Sequence, residues 1–136
     1  MDFVANPSPD TKIPREVIRK LLSRIYSDPH FAVSVILKRF LSFVVEETLA
    51  GRSGQLGEYV ITANVFSKLP GIGTDEDTMV RIYASRIRRA LFQYYNGAGA
   101  NETIRIDIPH GTYVPVFKDA AELWMDEPHL ISHKIR

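Results

Sequence analysis

The sequence predicts a mainly α domain closed by a C-terminal β-hairpin, and three features predict it. Apolar residues recur at spacings of three and four from Pro14 to about Asn96, the mark of helices with a buried stripe. The period then falls to two in TIRIDI, Thr103 to Ile108, where Ile104, Ile106 and Ile108 alternate with Arg105 and Asp107. Just before that change lies a helix with four arginines in nine positions, Arg81, Arg86, Arg88 and Arg89, and no acid from Thr78 to Asn101.

Composition bounds the answer. A chain of 136 residues, 45% hydrophobic and 24% charged, can bury one core and not two. The absence of cysteine excludes a disulfide framework, a thiol nucleophile and a thiolate metal site, and fits a reducing cytosol. The N-terminus, MDFVANPSPDTK, lacks the basic region and apolar run of a secretion signal. Lys38 and Arg39 cut the most apolar stretch, Phe31 to Leu37, long before it could span a bilayer, so a soluble cytoplasmic protein without a membrane partner is expected.

The elements follow in order. Residues 1–13, with Asn6, Pro7, Pro9 and Asp10, have no periodicity and read as a flexible arm. A first helix is expected from Pro14, suited to the first helical position, to Ser27, burying Val17, Ile18, Leu21, Leu22 and Ile25. Asp28 and Pro29 end it, and Asp28 caps a second helix from about His30 to Ala50, closed by Gly51. That helix is apolar on more than one face, so it is a central element or a partner surface.

A short third helix is read in LGEYVITANVF, Leu56 to Phe66, burying Tyr59, Ile61 or Thr62, Val65 and Phe66. Thr74 with Asp77 three positions on resembles a capping box, so the fourth helix spans about 75–96, with Val80, Ala84, Ile87, Leu91 and Tyr94 or Tyr95 as its stripe. The hairpin pairs 103–108 with TYVPVF, Thr112 to Phe117, whose Pro115 cannot donate to a ladder and marks an edge or irregular strand. The ordered domain is thus 14–117. Residues 118–136 form a partly disordered extension in which Ala120 to Met125 could be helical and Trp124 could dock on the body.

Helices followed by a hairpin, with a basic last helix, is the order of a winged helix-turn-helix, in which one helix enters the major groove and the wing reaches the backbone or the minor groove. A helix facing phosphates needs long cationic side chains and no repelling acids. RFLSFVVEETLAGR, LGEYVITANVF, VRIYASRIRRALFQYY and IRIDIPHGTYVPVF resemble the winged-helix-like N-terminal domain of bacterial adenylate cyclase-like and tetratricopeptide-repeat proteins. More distantly they resemble the winged-helix effector domain of two-component response regulators. The first resemblance spans roughly residues 29–117 and implies the fold and a DNA-binding role, without carrying over any catalytic function. The chain departs from that pattern at Tyr83 and Phe92, where relatives tend to have acids, at Thr78 after Asp77, where they have proline, and at His110, where they commonly have lysine.

The expected DNA-binding residues are Arg81, Ser85 and Arg88 on the favoured flank of the helix, Arg86 and Arg89 on the other flank with Tyr83, and His110 and Thr112 on the wing, one of the two flanks being expected to pair with Glu46, Glu47 or Glu58. Arg81 is expected at a base edge and Arg88 at a phosphate. His110 at the wing tip would strengthen binding as pH falls. An enzyme is not expected. His129 and His133 lack a third ligand, Gly71-Ile72-Gly73 lacks the rest of a phosphate loop, Asp75 to Asp77 serve as caps, and Glu46 and Glu47 point apart. No cofactor or metal is implied.

Two classes of function fit. One is a DNA-binding transcription regulator, favoured by the acid-free helix; the other is a protein-interaction module on the same scaffold, favoured by a net charge of only +1 and a pI of about 8.0. The apolar surplus at Val33, Val35 and Ile36 points to a homodimer, which would also supply two half-sites.

Overall fold

Pro14 stands one position ahead of the first helix rather than inside it, and its carbonyl accepts from the N–H groups of Val17 (3.0 Å) and Ile18 (3.2 Å). The computed structural model describes residues 13–67 and 76–120. Helix α1, Arg15–Ser27, buries Ile18, Leu21, Leu22 and Ile25, whereas Val17, expected in that stripe, lies on the exposed side. Ile13, assigned to the arm by sequence, packs against the core.

The expected second helix is broken. Asp28 caps a single turn, α2 (Pro29–Ala32), accepting from the His30 N–H as predicted. The chain then opens at Ser34, which is extended (φ −128°, ψ 110°), and restarts as α3, Val35–Leu49, with Ser34 Oγ accepting from the Leu37 N–H at 3.1 Å. A serine offering its oxygen to the backbone competes with helix continuation, which is the reason for the break. At the far end Gly51 is left-handed (φ 84°), its N–H donating to the Thr48 carbonyl and the Arg52 N–H to the Glu47 carbonyl. That pair of bonds is the terminating motif for which glycine is the low-strain choice.

A short 3₁₀ turn, Ser53–Gln55, leads into α4, Glu58–Ile61, which continues as a π turn, Thr62–Phe66. The wider turn lets the adjacent residues Val65 and Phe66 both reach the core beside Ile61. Tyr59, expected to be buried, is 85% exposed. Thr74 and Asp75, read as the start of the fourth helix, lie outside the described residues. Helix α5, Glu76–Tyr95, then buries Val80, Ala84, Ile87, Leu91 and Tyr94 as the spacing predicts.

The hairpin pairs β1, Ile104–Asp107, with β2, Val116–Asp119, in antiparallel register, Ile104 opposite Asp119 and Ile106 opposite Phe117. The second strand is displaced from the expected 112–117 because Pro115 cannot enter the ladder, so pairing begins one residue beyond it. The strand consequently runs past 117, the expected end of the domain. Residues 121–136, including the expected helix around Trp124 and the pair His129 and His133, lie outside the described residues.

One core joins these elements. Seven buried residues of α3 meet α1, the π turn and α5, with Phe40 edge-on to Phe66 at 6.0 Å. Ile104, Ile106, Ile108 and Phe117 bring the hairpin to the same cluster. The link from α5 to β1 depends on Gly99, whose N–H donates to the Tyr94 carbonyl at 2.7 Å and where a methyl group would sit 2.2 Å from the Tyr94 ring. Among the described residues no helix is long and apolar enough to cross a membrane.

Candidate nucleic-acid interface

With its apolar stripe buried, α5 turns Arg81, Ser85, Arg86, Arg89, Phe92 and Gln93 to the outside. Ser85, Arg89 and Phe92 are four and three residues apart and so form one row along the helix. From Thr78 to Asn96 this surface contains no carboxylate. The Arg89 side chain makes no ion pair or hydrogen bond among the described residues, so its five donors are open to an incoming acceptor. Arg86 is stacked over the Tyr83 ring at 4.8 Å, and that ring packs on Phe66 at 5.6 Å. Tyr83 is therefore half-buried and supports Arg86 rather than standing free.

Arg88 has a different occupation from the phosphate contact read from sequence. Its Nε donates to the Ile108 carbonyl at 2.9 Å, and its Nη2 to the carbonyls of Thr112 at 2.9 Å and Pro109 at 3.3 Å. The planar guanidinium gathers three acceptors of the loop that joins the strands, a fork no ammonium could reproduce. Thr112 belongs to the same knot: its carbonyl accepts from Arg88 and its hydroxyl from the Val114 N–H. Gly111, left-handed at φ 87°, makes the turn between them.

Tyr95 fixes the strand itself. Its hydroxyl accepts from the Ile106 N–H at 2.8 Å and donates to the Ile104 carbonyl at 3.1 Å, so a side chain of α5 stands where a third strand would pair with β1. Arg105 lies over the Tyr95 ring at 4.8 Å. Between α5 and the hairpin is an open cleft of about 470 Å³, with Ser85, Arg89 and Phe92 on the helix side and Arg105, Asp107 and His110 on the hairpin side. His110 is exposed at the loop tip, as expected.

The acids expected beside the basic helix are mostly engaged elsewhere. Glu46 is held by both arms of Arg19 at 2.8 and 3.0 Å, and Glu47 by Arg52 at 2.8 Å; in each case the guanidinium hydrogen bond draws the carboxyl below its ordinary value. Of these three acids Glu58 alone meets α5, accepting from Arg81 at 3.4 Å and from the Tyr113 hydroxyl at 2.9 Å. Burial, then that bond, pushes the Tyr113 phenol up to about 12. The Arg81 side chain remains 58% exposed, and so long a contact holds it weakly.

At the other end of α5 a tighter group ties three elements together. Arg24 of α1 donates two 2.8 Å bonds to Glu102, and the Tyr94 hydroxyl donates to the same carboxylate. The Arg24 hydrogen bond, outweighing desolvation, holds Glu102 below its ordinary value of 4.5. A depressed carboxyl contributes stability that is complete above its unfolded value and lost as pH falls through its folded one. Unfolding free energy should therefore decline as pH drops below about 4.5, and Glu102→Gln should flatten that decline, as chemical denaturation at several pH values between roughly 3 and 7 would record.

Of the residues expected to bind DNA, the structure brings Ser85, Arg89 and His110 together at this cleft, which Arg88 also lines while bonded to the loop; Thr112 belongs to that loop, Arg81 and Arg86 are exposed elsewhere on α5, and Tyr83 lies half-buried under Arg86. Phe92 and Arg105 were not among those expected. Phe92 could have been found from its place seven residues after Ser85 and three after Arg89; Arg105 carries no such signal, because its position depends on the hairpin folding back over Tyr95. No known protein family, curated protein or solved structure matches the chain.

Proposed function

We propose that this protein is a DNA-binding regulator of transcription, a winged helix whose recognition element is α5 and whose wing is the loop and hairpin after it. The observation that carries the reading is an outer face of α5 free of carboxylates from Thr78 to Tyr95, with an Arg89 side chain unpartnered among the described residues, held beside a loop that Arg88 fastens by three backbone bonds. Such a face suits a polyanion, and a rigid neighbouring loop lets helix and wing meet a duplex at one spacing. The segments RFLSFVVEETLAGR, LGEYVITANVF and IRIDIPHGTYVPVF, similar to those of winged-helix-like bacterial domains, support the same reading. Arg81, Ser85 and Arg89 face base edges or phosphates, Arg86 and His110 reach the backbone, and Arg88 acts as the wing's anchor. The site is a bacterial, cytoplasmic regulator's, acting by occupancy and not by catalysis.

The competing reading, a protein-binding module, rests on the net charge of +1 and on the exposed rings of Phe92 and Tyr59. Gel-shift titration with random and upstream duplexes separates the two. If three or four phosphates are neutralised, affinity should fall roughly 40- to 150-fold between about 50 and 200 mM salt. No shift on any duplex at the lower salt would transfer the face to a protein partner.

The regulator is further proposed to act as a homodimer. Val33 (86% exposed) and Val35 (61%) flank the break before α3, while Ile36 is half-buried and contributes less than its sequence position suggests. Light scattering should show dimer at micromolar concentration, and Val33→Glu with Val35→Glu should return monomer without loss of helicity. A wild-type chain that stays monomeric would remove the dimer.

A further inference from the structure

Phe92 leaves 62% of its surface in water beside Arg89, on a helix face whose other exposed residues are arginines, Ser85, Gln93 and the less exposed Ile82 (41%). It stands three residues after Arg89, lines the same cleft, and lies in the row that begins at Ser85. Three helical residues advance about 4.5 Å. A base-pair step rises about 3.4 Å, so neighbouring side chains of one row meet neighbouring pairs.

In the major groove the acceptor pair that fits a guanidinium in two bonds is O6 and N7 of guanine, and the apolar group on offer is the 5-methyl of thymine. We infer that Phe92 is a specificity-determining residue that packs on a thymine methyl in the base pair next to a guanine read by Arg89. The inference rests on the proposed duplex binding and adds to it which bases the helix distinguishes. Arg86, stacked on Tyr83, and Arg88, spent on the loop, leave Arg89 as the guanidinium free to share the row with Phe92.

The test begins by enriching random duplexes for binding to the full chain and identifying the selected site. Each thymine of that site is then replaced singly by deoxyuridine, which removes the methyl and no hydrogen-bonding group. One position beside a required guanine should weaken binding about fourfold, the worth of a single methyl group withdrawn from water. Phe92→Ala, checked for helicity by circular dichroism, should lose a similar factor on the thymine site and be indifferent to uracil there, and Phe92→Leu should keep part of the discrimination. Tolerance of uracil at every position, or an equal uracil penalty in Phe92→Ala, would overturn the inference while leaving duplex binding intact. Tighter binding to single strands than to the duplex would assign Phe92 to base stacking and overturn it as well. Absence of any duplex binding would overturn both readings.

Discussion

Arg88→Ala should lower the free energy of unfolding by about 2–4 kcal/mol, more than a substitution on the outer face of a helix ordinarily costs. Three charge-assisted bonds disappear together, to the carbonyls of Ile108, Pro109 and Thr112. Pro109 is exposed and its carbonyl can recruit water, so the sum falls short of three independent bonds; Ile108 is buried, and its carbonyl loses a partner without that relief. Arg88→Lys should recover less than half, because one ammonium cannot occupy the fork. Chemical denaturation measures the total. Amide hydrogen exchange shows where it acts, with the Ile106 N–H, held by the Tyr95 hydroxyl, losing protection as the hairpin loosens. A variant as stable as the parent would mean that the loop holds its place without Arg88.

Arg89→Ala should leave stability unchanged, since its guanidinium has no partner among the described residues, and should weaken the preferred duplex by about 1–3 kcal/mol while relaxing its sequence preference. The contrast with Arg86 follows from geometry. Arg86 lies over the Tyr83 ring and is proposed to meet the sugar–phosphate backbone, so Arg86→Ala should weaken specific and random duplexes alike and lower the salt slope by about one unit. Arg81 falls between them, because it must leave its 3.4 Å contact with Glu58 to reach a base. Fluorescence anisotropy on selected and random duplexes at several salt concentrations reads all three. Equal behaviour of the three variants would contradict this division of roles.

Much of this arrangement was legible in the sequence because it rests on local rules. Helical spacing located the buried stripes of α1 and α5, the Asp28-Pro29 pair marked a boundary, and Gly51 marked the left-handed stop after α3. The break at Ser34 was hidden inside an apolar run, where a serine able to cap α3 looks like a single polar interruption. Tyr59 fits the period of an ordinary helix, and the π turn that follows it leaves no sign in the spacing of side chains. Pro115 announced an irregular strand without saying that pairing would move beyond it.

The site was legible in part. A cluster of arginines shows in any sequence, whereas the division between those that bind the fold and those left open depends on acceptors supplied by distant backbone. The three carbonyls around Arg88 lie 20 to 24 residues away and belong to residue types with no side-chain signal for a guanidinium. The same holds for Glu102, which meets Arg24 from 78 positions away.

In the proposed complex the outer face of α5 enters a duplex while Arg88 stays with the hairpin. The Nε–H resonances of the arginines, followed by NMR as duplex DNA is added to the full chain, test it most directly. Arg89 and Arg81 should shift and slow their exchange with water, whereas Arg88, whose Nε–H is already bonded to Ile108, should be protected before DNA is added and move little. Unchanged Arg89 and Arg81 resonances with saturating DNA, or an Arg88 resonance that moves more than theirs, would contradict it.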